Sequence, residues 1–302
     1  MSRRPFVKTH IDLVSIGCRE ARRGMIMKYA IICGDERSRW LRRLLTDDGH
    51  RVSSFGLGLP EDEKSPEEAI SLSDCVIFPL PMLSSDEIIT APFSDKKLSL
   101  EALRPMIPDG ALVLGGRVPE AAPFPIVDYF RREELTVRNA SLTAEGAVFI
   151  LMKELSSALS DSNIIIVGAG RIGKLLAVKL KALGASVTVT ARREGDFALI
   201  RELGCDWCKT ADLKLCADEA EAIVNTVPAR VIDGSVMRKM KKEAIILDLA
   251  SSPFGHEQAE AASLGVRAML APGLPGRAAP KSAAMAVRDT IYNIINEREC
   301  SA

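Results

Sequence analysis

Histidine and aromatic side chains are scarce in this chain: 302 residues hold 3 His, 2 Trp, 3 Tyr and 9 Phe. A charge of one sign is lacking too, since 40 Lys and Arg face 40 Asp and Glu. That balance removes the broad positive field of nucleic-acid binders and of proteins held on anionic membranes. No uninterrupted apolar run approaches the roughly 18 residues needed to cross a bilayer. The 7 cysteines are odd in number and scattered, which excludes reading them as a disulfide framework. What is present, 47% apolar and 26% charged residues, is ordinary for a soluble globular chain long enough for two cores. The composition reads as cytoplasmic.

Residues 1–26 differ from the rest. Arg3, Arg4, Lys8, Arg19, Arg22 and Arg23 stand against Asp12 and Glu20, without the apolar stretch of a secretory signal. The segment reads as a disordered basic extension, or as untranslated if synthesis starts at Met25 or Met27.

From Lys28 onward short apolar runs alternate with helical spacing. Tyr29–Cys33, Arg51–Phe55, Asp74–Pro79 and Ala111–Gly116 read as buried strands, with Thr136–Asn139 a possible fifth. Ser38–Asp47 has helical spacing at Trp40, Leu41, Leu44 and Leu45, and Gly49 breaks it. Such alternation predicts a parallel sheet covered on both faces, an N-terminal flavodoxin-like or Rossmann-like α/β domain over 27–140. It lacks a GxGxxG. Residues 141–160 read as a linking helix, capped by Ser141 or Thr143. Glu145 near its start either complements the helix dipole or serves a cleft.

The strongest motif follows. Asn163–Val167 is a buried-strand run, Gly168-Ala169-Gly170-Arg171-Ile172-Gly173 comes next, and a helix opens there, closed by a second strand at Ser186–Thr190. In that context the glycines have mechanical roles: Gly168 for the tight turn, Gly170 for backbone approach to a pyrophosphate, Gly173 for helix–strand packing. Residues 161–279 are therefore predicted to be a Rossmann domain binding a nicotinamide dinucleotide. Where an NAD site places an acidic residue, this chain has Ala191-Arg192-Arg193, which suits a 2′-phosphate. NADP(H) is the expected cofactor, with Thr190 adding a hydroxyl, and NAD(H) the alternative if both arginines are solvated beside Glu194. Later strands end at Asn225-Thr226-Val227-Pro228 and at Ala250-Ser251, the carboxyl edge where ligands collect, so these join Gly168, Gly170, Arg171, Ile172 and Gly173 as cofactor neighbours. The last segment, 280–302, reads as a helix returning to the first domain.

Other features carry less. Cys205 and Cys208 have the spacing of a zinc or redox pair but lie in a predicted loop without a second pair of ligands. His256 reads as a surface histidine opening a helix. The stretch Pro272-Gly273-Leu274-Pro275-Gly276-Arg277, followed by Lys281, is either a carboxylate receptor or a rigid connection.

The ordered succession of Asn139, Thr143-Ala144-Glu145-Gly146-Ala147, the glycine fingerprint, Asn225-Thr226-Val227-Pro228, Asp248–Pro253 and Ala271–Gly276 with Pro280-Lys281-Ser282 resembles the A subunit of dipicolinate synthase from spore-forming bacteria. The match runs from about Lys28 to the C-terminus. The resemblance implies oxidation of dihydrodipicolinate to pyridine-2,6-dicarboxylate in the mother cell, a flavoprotein-like B subunit as partner, and a dinucleotide domain similar to that of D-2-hydroxyacid dehydrogenases. A homodimer is also compatible with it. It transfers no catalytic residues. From chemistry, a dianionic substrate wants cations, for which Arg117, Arg277 and Lys281 are candidates, with Glu145 as base and Asn139 and Thr143 orienting the ring. A true D-2-hydroxyacid dehydrogenase is disfavoured: Ser251-Ser252-Pro253 and Pro272–Pro275 hold neither the arginine nor the histidine such chemistry needs. A rival of another class is a non-catalytic dinucleotide-binding scaffold or sensor for a flavoprotein.

Overall fold

A computed structural model describes residues 26–300, so the basic extension and its alternative start sites lie outside the described residues. The described residues divide into two compact units, 26–135 with 284–300, and 136–283.

The first unit is a five-stranded, all-parallel sheet in the order β2-β1-β3-β4-β5. Its strands are β1 (Lys28–Ile32), β2 (Arg51–Phe55), β3 (Cys75–Ile77), β4 (Leu112–Gly115) and β5 (Val127–Asp128). Alternation across the pleat divides β1 between two cores: Tyr29 and Ile31 face one, Ala30 and Ile32 the other. That is why the strand reads as a continuous apolar run. Helix α1 (Glu36–Asp47) starts where the Asp35 carboxylate accepts from the Arg37 amide, and it buries Leu41 and Leu45. Short helices α2 (Pro66–Ile70) and α3 (Leu100–Leu103) start at Ser65 and Ser99, whose hydroxyls accept from amides three residues on. The C-terminal helix, Pro280–Cys300, inserts Ala284, Val287, Ile291, Ile294 and Ile295 into the β1 core at helical spacing. There the Tyr292 hydroxyl donates to Asp48 and the Arg132 guanidinium bonds Glu297.

The second unit is a six-stranded parallel sheet, β11-β10-β9-β6-β7-β8. It comprises β6 (Asn163–Val167), β7 (Ser186–Ala191), β8 (Asp206–Lys209), β9 (Ala222–Asn225), β10 (Ile245–Asp248) and β11 (Arg267–Leu270). Its helices are α4 (Glu133–Glu154), α5 (Arg171–Ala182), α6 (Glu194–Glu202), α7 (Gly234–Met237), α8 (Gln258–Ser263) and α9 (Leu274–Ala278). This is the doubly wound Rossmann order, with its switch point between β6 and β9. Ile164 and Ile166 serve one core with Leu176 and Phe197, while Ile165 and Val167 serve the other with Ile223 and Ile246.

Three expectations about elements are corrected. Thr136–Asn139 is not a strand but the first part of α4, so neither Ser141 nor Thr143 caps that helix. Glu133 and Glu134 supply its acidic first turn, and Ala144, Ala147 and Leu151 form its buried stripe, while Leu135 is buried in a different core. A quartet of mixed residues is too short for periodicity to decide between helix and strand. The Cys205–Cys208 stretch is largely β8 rather than loop, and Leu274–Ala278 is a short helix.

Candidate functional site

The glycine fingerprint sits at the switch point, between the end of β6 and the start of α5. Gly168 has φ +104° and a Cβ there would lie 2.5 Å from Val227 Cγ1. A Cβ on Gly173 would lie 2.0 Å from the Gly168 carbonyl oxygen, so the first turn of α5 can approach β6 only without a side chain. At Gly170, by contrast, a Cβ meets nothing within 4 Å. Close packing beneath and open space above fit a pyrophosphate on the backbone of this turn. Arg171 is exposed at the first position of α5, and Ile172 packs partly into the core. Thr226 lies beside this turn, its hydroxyl donating to the Val167 carbonyl at 2.8 Å, which leaves its side chain a support for the loop. Pro228 is exposed at the same edge.

At the end of β7, Arg192 and Arg193 are both exposed, and neither side chain forms an ion pair or hydrogen bond with a described residue. Glu194 is no partner to them. Thr190 is different from expectation: it is fully buried, and its hydroxyl meets Thr210 Oγ1 at 3.2 Å. The pleat turns it into the sheet, so it offers nothing to a 2′-phosphate.

Beyond β9 and β10 lies a buried polar network that sequence reasoning did not find. Asp248, wholly buried, accepts from Asn225 Nδ2 at 2.8 Å, the Ala250 amide at 3.0 Å, the Gly255 amide at 2.6 Å and His256 Nδ1 at 3.1 Å. Burial by itself pushes this carboxyl up. The hydrogen bonds from His256, Asn225, Gly255 and Ala250 outweigh it and hold the group below the ordinary aspartate range. His256 is therefore not a surface residue: its side chain is 0% exposed and its Nε2 lies 3.0 Å from the Gln258 amide nitrogen. Asn225 is equally committed, donating also to the Val227 carbonyl and accepting from the Val227 amide. Asn225 and Ala250 thus act by shaping the loops that carry Val227 and the exposed Ser251, rather than by offering their own polar atoms. The hint in the sequence was the acid ending an otherwise apolar strand at Asp248 with a histidine eight residues on.

The proposed catalytic trio does not converge. Thr143 and Asn139 lie one helical turn apart, and the Thr143 hydroxyl is spent on the Asn139 carbonyl at 2.8 Å. At 100° per residue, Glu145 projects from the opposite side of α4. Its side chain is 58% exposed and paired with Lys179 at 3.0 Å, in the middle of the helix rather than in its first turn. Arg277 is exposed on α9 and forms no pair with a described residue, and Lys281 is exposed near the start of the C-terminal helix. In the first unit, Arg117 is exposed just past the end of β4, with φ +60° and its guanidinium 5.2 Å from the Phe130 ring centroid.

Cys205 and Cys208 do not form a metal pair; no metal-binding cluster of His, Cys, Asp and Glu occurs among the described residues. The Cys208 thiol is pushed up to about 12 by burial and by its hydrogen bond with Cys216, which keeps it protonated at neutral pH. No helix among the described residues is long and apolar enough to cross a membrane.

Comparison with known proteins gives the same two-part division. Residues 28–122 match the family model of the N-terminal domain of the dipicolinate synthase A subunit, and residues 138–267 match that of the D-isomer specific 2-hydroxyacid dehydrogenase NAD-binding domain. The dipicolinate synthase A subunit from Bacillus subtilis (strain 168) is 27% identical over 286 residues, covering 90% of this chain and 96% of that protein. The crystal structure of the corresponding Bacillus halodurans protein superposes with a TM-score of 0.79 at 26% identity, covering 90% of this chain and 99% of that one. The transhydrogenase from Sinorhizobium meliloti shares the fold, with a TM-score of 0.67 at 17% identity over 94% of this chain and 88% of its own.

Proposed function

We propose that this chain, a relative of the dipicolinate synthase A subunit through both of its domains, is the NADP-binding oxidoreductase component that converts dihydrodipicolinate to pyridine-2,6-dicarboxylate. The observation that carries the cofactor choice is the exposed, unpaired Arg192-Arg193 at the end of β7, where no carboxylate stands to hold a ribose 2′-hydroxyl. Two guanidinium groups meet a 2′-phosphate with charge-assisted bonds that a hydroxyl cannot return.

A nicotinamide dinucleotide, when bound, supplies the hydride acceptor. The chain's own part is to bind and to orient. Gly170 presents backbone to the pyrophosphate, Gly168 and Gly173 let the turn and the first turn of α5 pack closely beneath it, and the Asp248 network holds the loop after β10 at the carboxyl edge. The oxidation removes a hydride from one ring carbon and a proton from another, and aromatisation supplies the driving force, so a water-exposed proton acceptor is sufficient. Arg277 and Lys281 are the second unit's candidates for the substrate carboxylates, and Arg117 is the first unit's. That the relatives are named as one subunit of a synthase supports a second chain as partner; we further take that partner to be a flavoprotein-like B subunit and the assembly to work in the cytoplasm of a sporulating cell.

One finding favours a second reading. Glu145 tied to Lys179, and Thr143 tied to its own helix, leave the predicted trio without a base, as in a scaffold or in an enzyme completed by its partner. Calorimetric titration of NADP and NAD on wild type and Arg192→Ala tests the cofactor reading: NADP binding much the tighter, with the gap closed by the substitution, is expected, and equal binding refutes it. Reduction of added NADP by the isolated chain with substrate rejects the scaffold. Activity only with the partner present assigns the chemistry to the pair.

A further inference from the structure

The geometry points to Lys209, at the end of β8, as a third cation of the 2′-phosphate site and a determinant of NADP over NAD. The inference rests on the NADP reading above and adds to it a residue from a different strand.

Strand register places this lysine. Ala191, the last residue of β7, is paired with Lys209, the last residue of β8, and neighbouring strands lie about 4.8 Å apart. Registered partners point to the same face of a sheet, so Lys209 shares its face with Ala191 and, two residues earlier, with Trp207. Trp207 packs against Phe197 of α6, their ring centroids 4.3 Å apart. Helix α6 runs back over the sheet, antiparallel to β8. Stepping from Trp207 to Lys209 moves about 6.6 Å toward the carboxyl edge. Stepping from Phe197 to Arg193 moves about 6 Å the same way along the helix. Arg193 and Lys209 are therefore the next facing positions beyond the Phe197–Trp207 contact, and Arg192 lies between Arg193 and the strand end.

Three cations thus share one corner of the sheet. All three are exposed, and none of their side chains makes an ion pair or hydrogen bond with a described residue. The nearby acids do not neutralise them: Asp196 is engaged by Lys174 at 3.7 Å, and Glu194 makes no ion pair with a described residue. Clustering like charges without partners is unfavourable in the free protein and is relieved by a dianion. The position of Lys209 is also secured. The next residue, Thr210, opens the 3-10 turn Thr210–Leu215, and its hydroxyl is joined to buried Thr190 of β7 at 3.2 Å. That bond gives buried Thr190 a purpose: it ties the two strand ends that carry the cations. Lysine supplies a point charge without a fixed fork, suited to the third oxygen of a phosphate already bound by arginines.

The test is calorimetric titration of the full chain with NADP and with NAD, on wild type, Lys209→Gln and Lys209→Arg. Because the two cofactors differ only in the 2′-phosphate, they complete a cycle that isolates its coupling to Lys209. Lys209→Gln is expected to weaken NADP about tenfold while NAD changes by less than about twofold, and Lys209→Arg to restore most of the loss. Equal losses for both cofactors, or no loss for NADP, overturn the inference. If Arg192→Ala still abolishes a wild-type preference for NADP in that case, the NADP reading survives without Lys209. A wild type that binds both cofactors equally overturns both together.

Discussion

Replacing Asp248 by asparagine gives the sharpest test of how the cofactor edge is held. The two carboxylate oxygens divide four donors, Asn225 Nδ2 and the Ala250 amide on Oδ1, the Gly255 amide and His256 Nδ1 on Oδ2. An asparagine has one acceptor oxygen, and its amide nitrogen is itself a donor. Turned toward Asn225 Nδ2 and the Ala250 amide, the N–H group faces two buried donors; turned the other way it faces the Gly255 amide, and His256 must change tautomer to accept from it. Each buried donor left unsatisfied costs roughly 1–3 kcal/mol, and the cheaper orientation leaves one, so Asp248→Asn should destabilise the second unit by about 2 kcal/mol. That is a large part of the about 5–15 kcal/mol that holds a typical domain folded. Urea unfolding followed by fluorescence separates the units, because Trp40 lies in the first and Trp207 in the second; a Trp40→Phe background leaves Trp207 as the reporter. The pH dependence has a definite sign. A carboxyl held below its unfolded value contributes stability that is present above about pH 4 and is lost as pH falls through the folded value. The gap between wild type and variant should narrow as the solution is acidified below about pH 4. A loss under about 1 kcal/mol at neutral pH, or a gap that widens in acid, would refute the reasoning.

Three further substitutions probe the remaining elements. Gly173→Ala places a methyl 2.0 Å from the Gly168 carbonyl, so dinucleotide binding measured by calorimetry should fall at least about tenfold, and unchanged affinity would place the pyrophosphate elsewhere. Ile291→Ala removes a fully buried side chain of the C-terminal helix and should cost the first unit about 3 kcal/mol, read from Trp40 fluorescence in urea. A change below about 1 kcal/mol would mean the helix is not part of that core. Glu145→Gln breaks an exposed pair with Lys179 worth at most about 1 kcal/mol and should leave turnover of the assembled enzyme within about twofold. Loss of turnover would restore Glu145 as the base.

Much of the fold was legible because parallel strands buried on both faces leave a signature that short-range pattern reading detects. Ile164 to Val167 alternates between two cores, so every position is apolar, and the glycines that follow are required by contacts within a few residues. The helix boundary at Glu133 was not legible. Thr136 and Val137 favour a strand locally, and only the burial of Ala144, Ala147 and Leu151 on one stripe further along, outside any window centred on Thr136, favours a continuous helix.

The candidate site divides along the same line. Residues placed by backbone packing, such as Gly168 and Gly173, and the proposed cofactor cations Arg192 and Arg193 are legible from spacing, because each stands next to a strand or helix terminus. Side chains that act through distant partners do not. Thr143 and Glu145 are neighbours in sequence yet leave α4 on opposite sides, and Asn225, Asp248 and His256 lie as far as 31 positions apart yet share one carboxylate. By itself the sequence determined a nicotinamide dinucleotide domain of the Rossmann kind joined to a second parallel sheet, since local periodicity and turn chemistry specify both. Only the tertiary structure decided which polar groups are consumed in the interior and which stay free at the edge. That choice depends on which strands pair and in what register, and no window of neighbouring residues contains it.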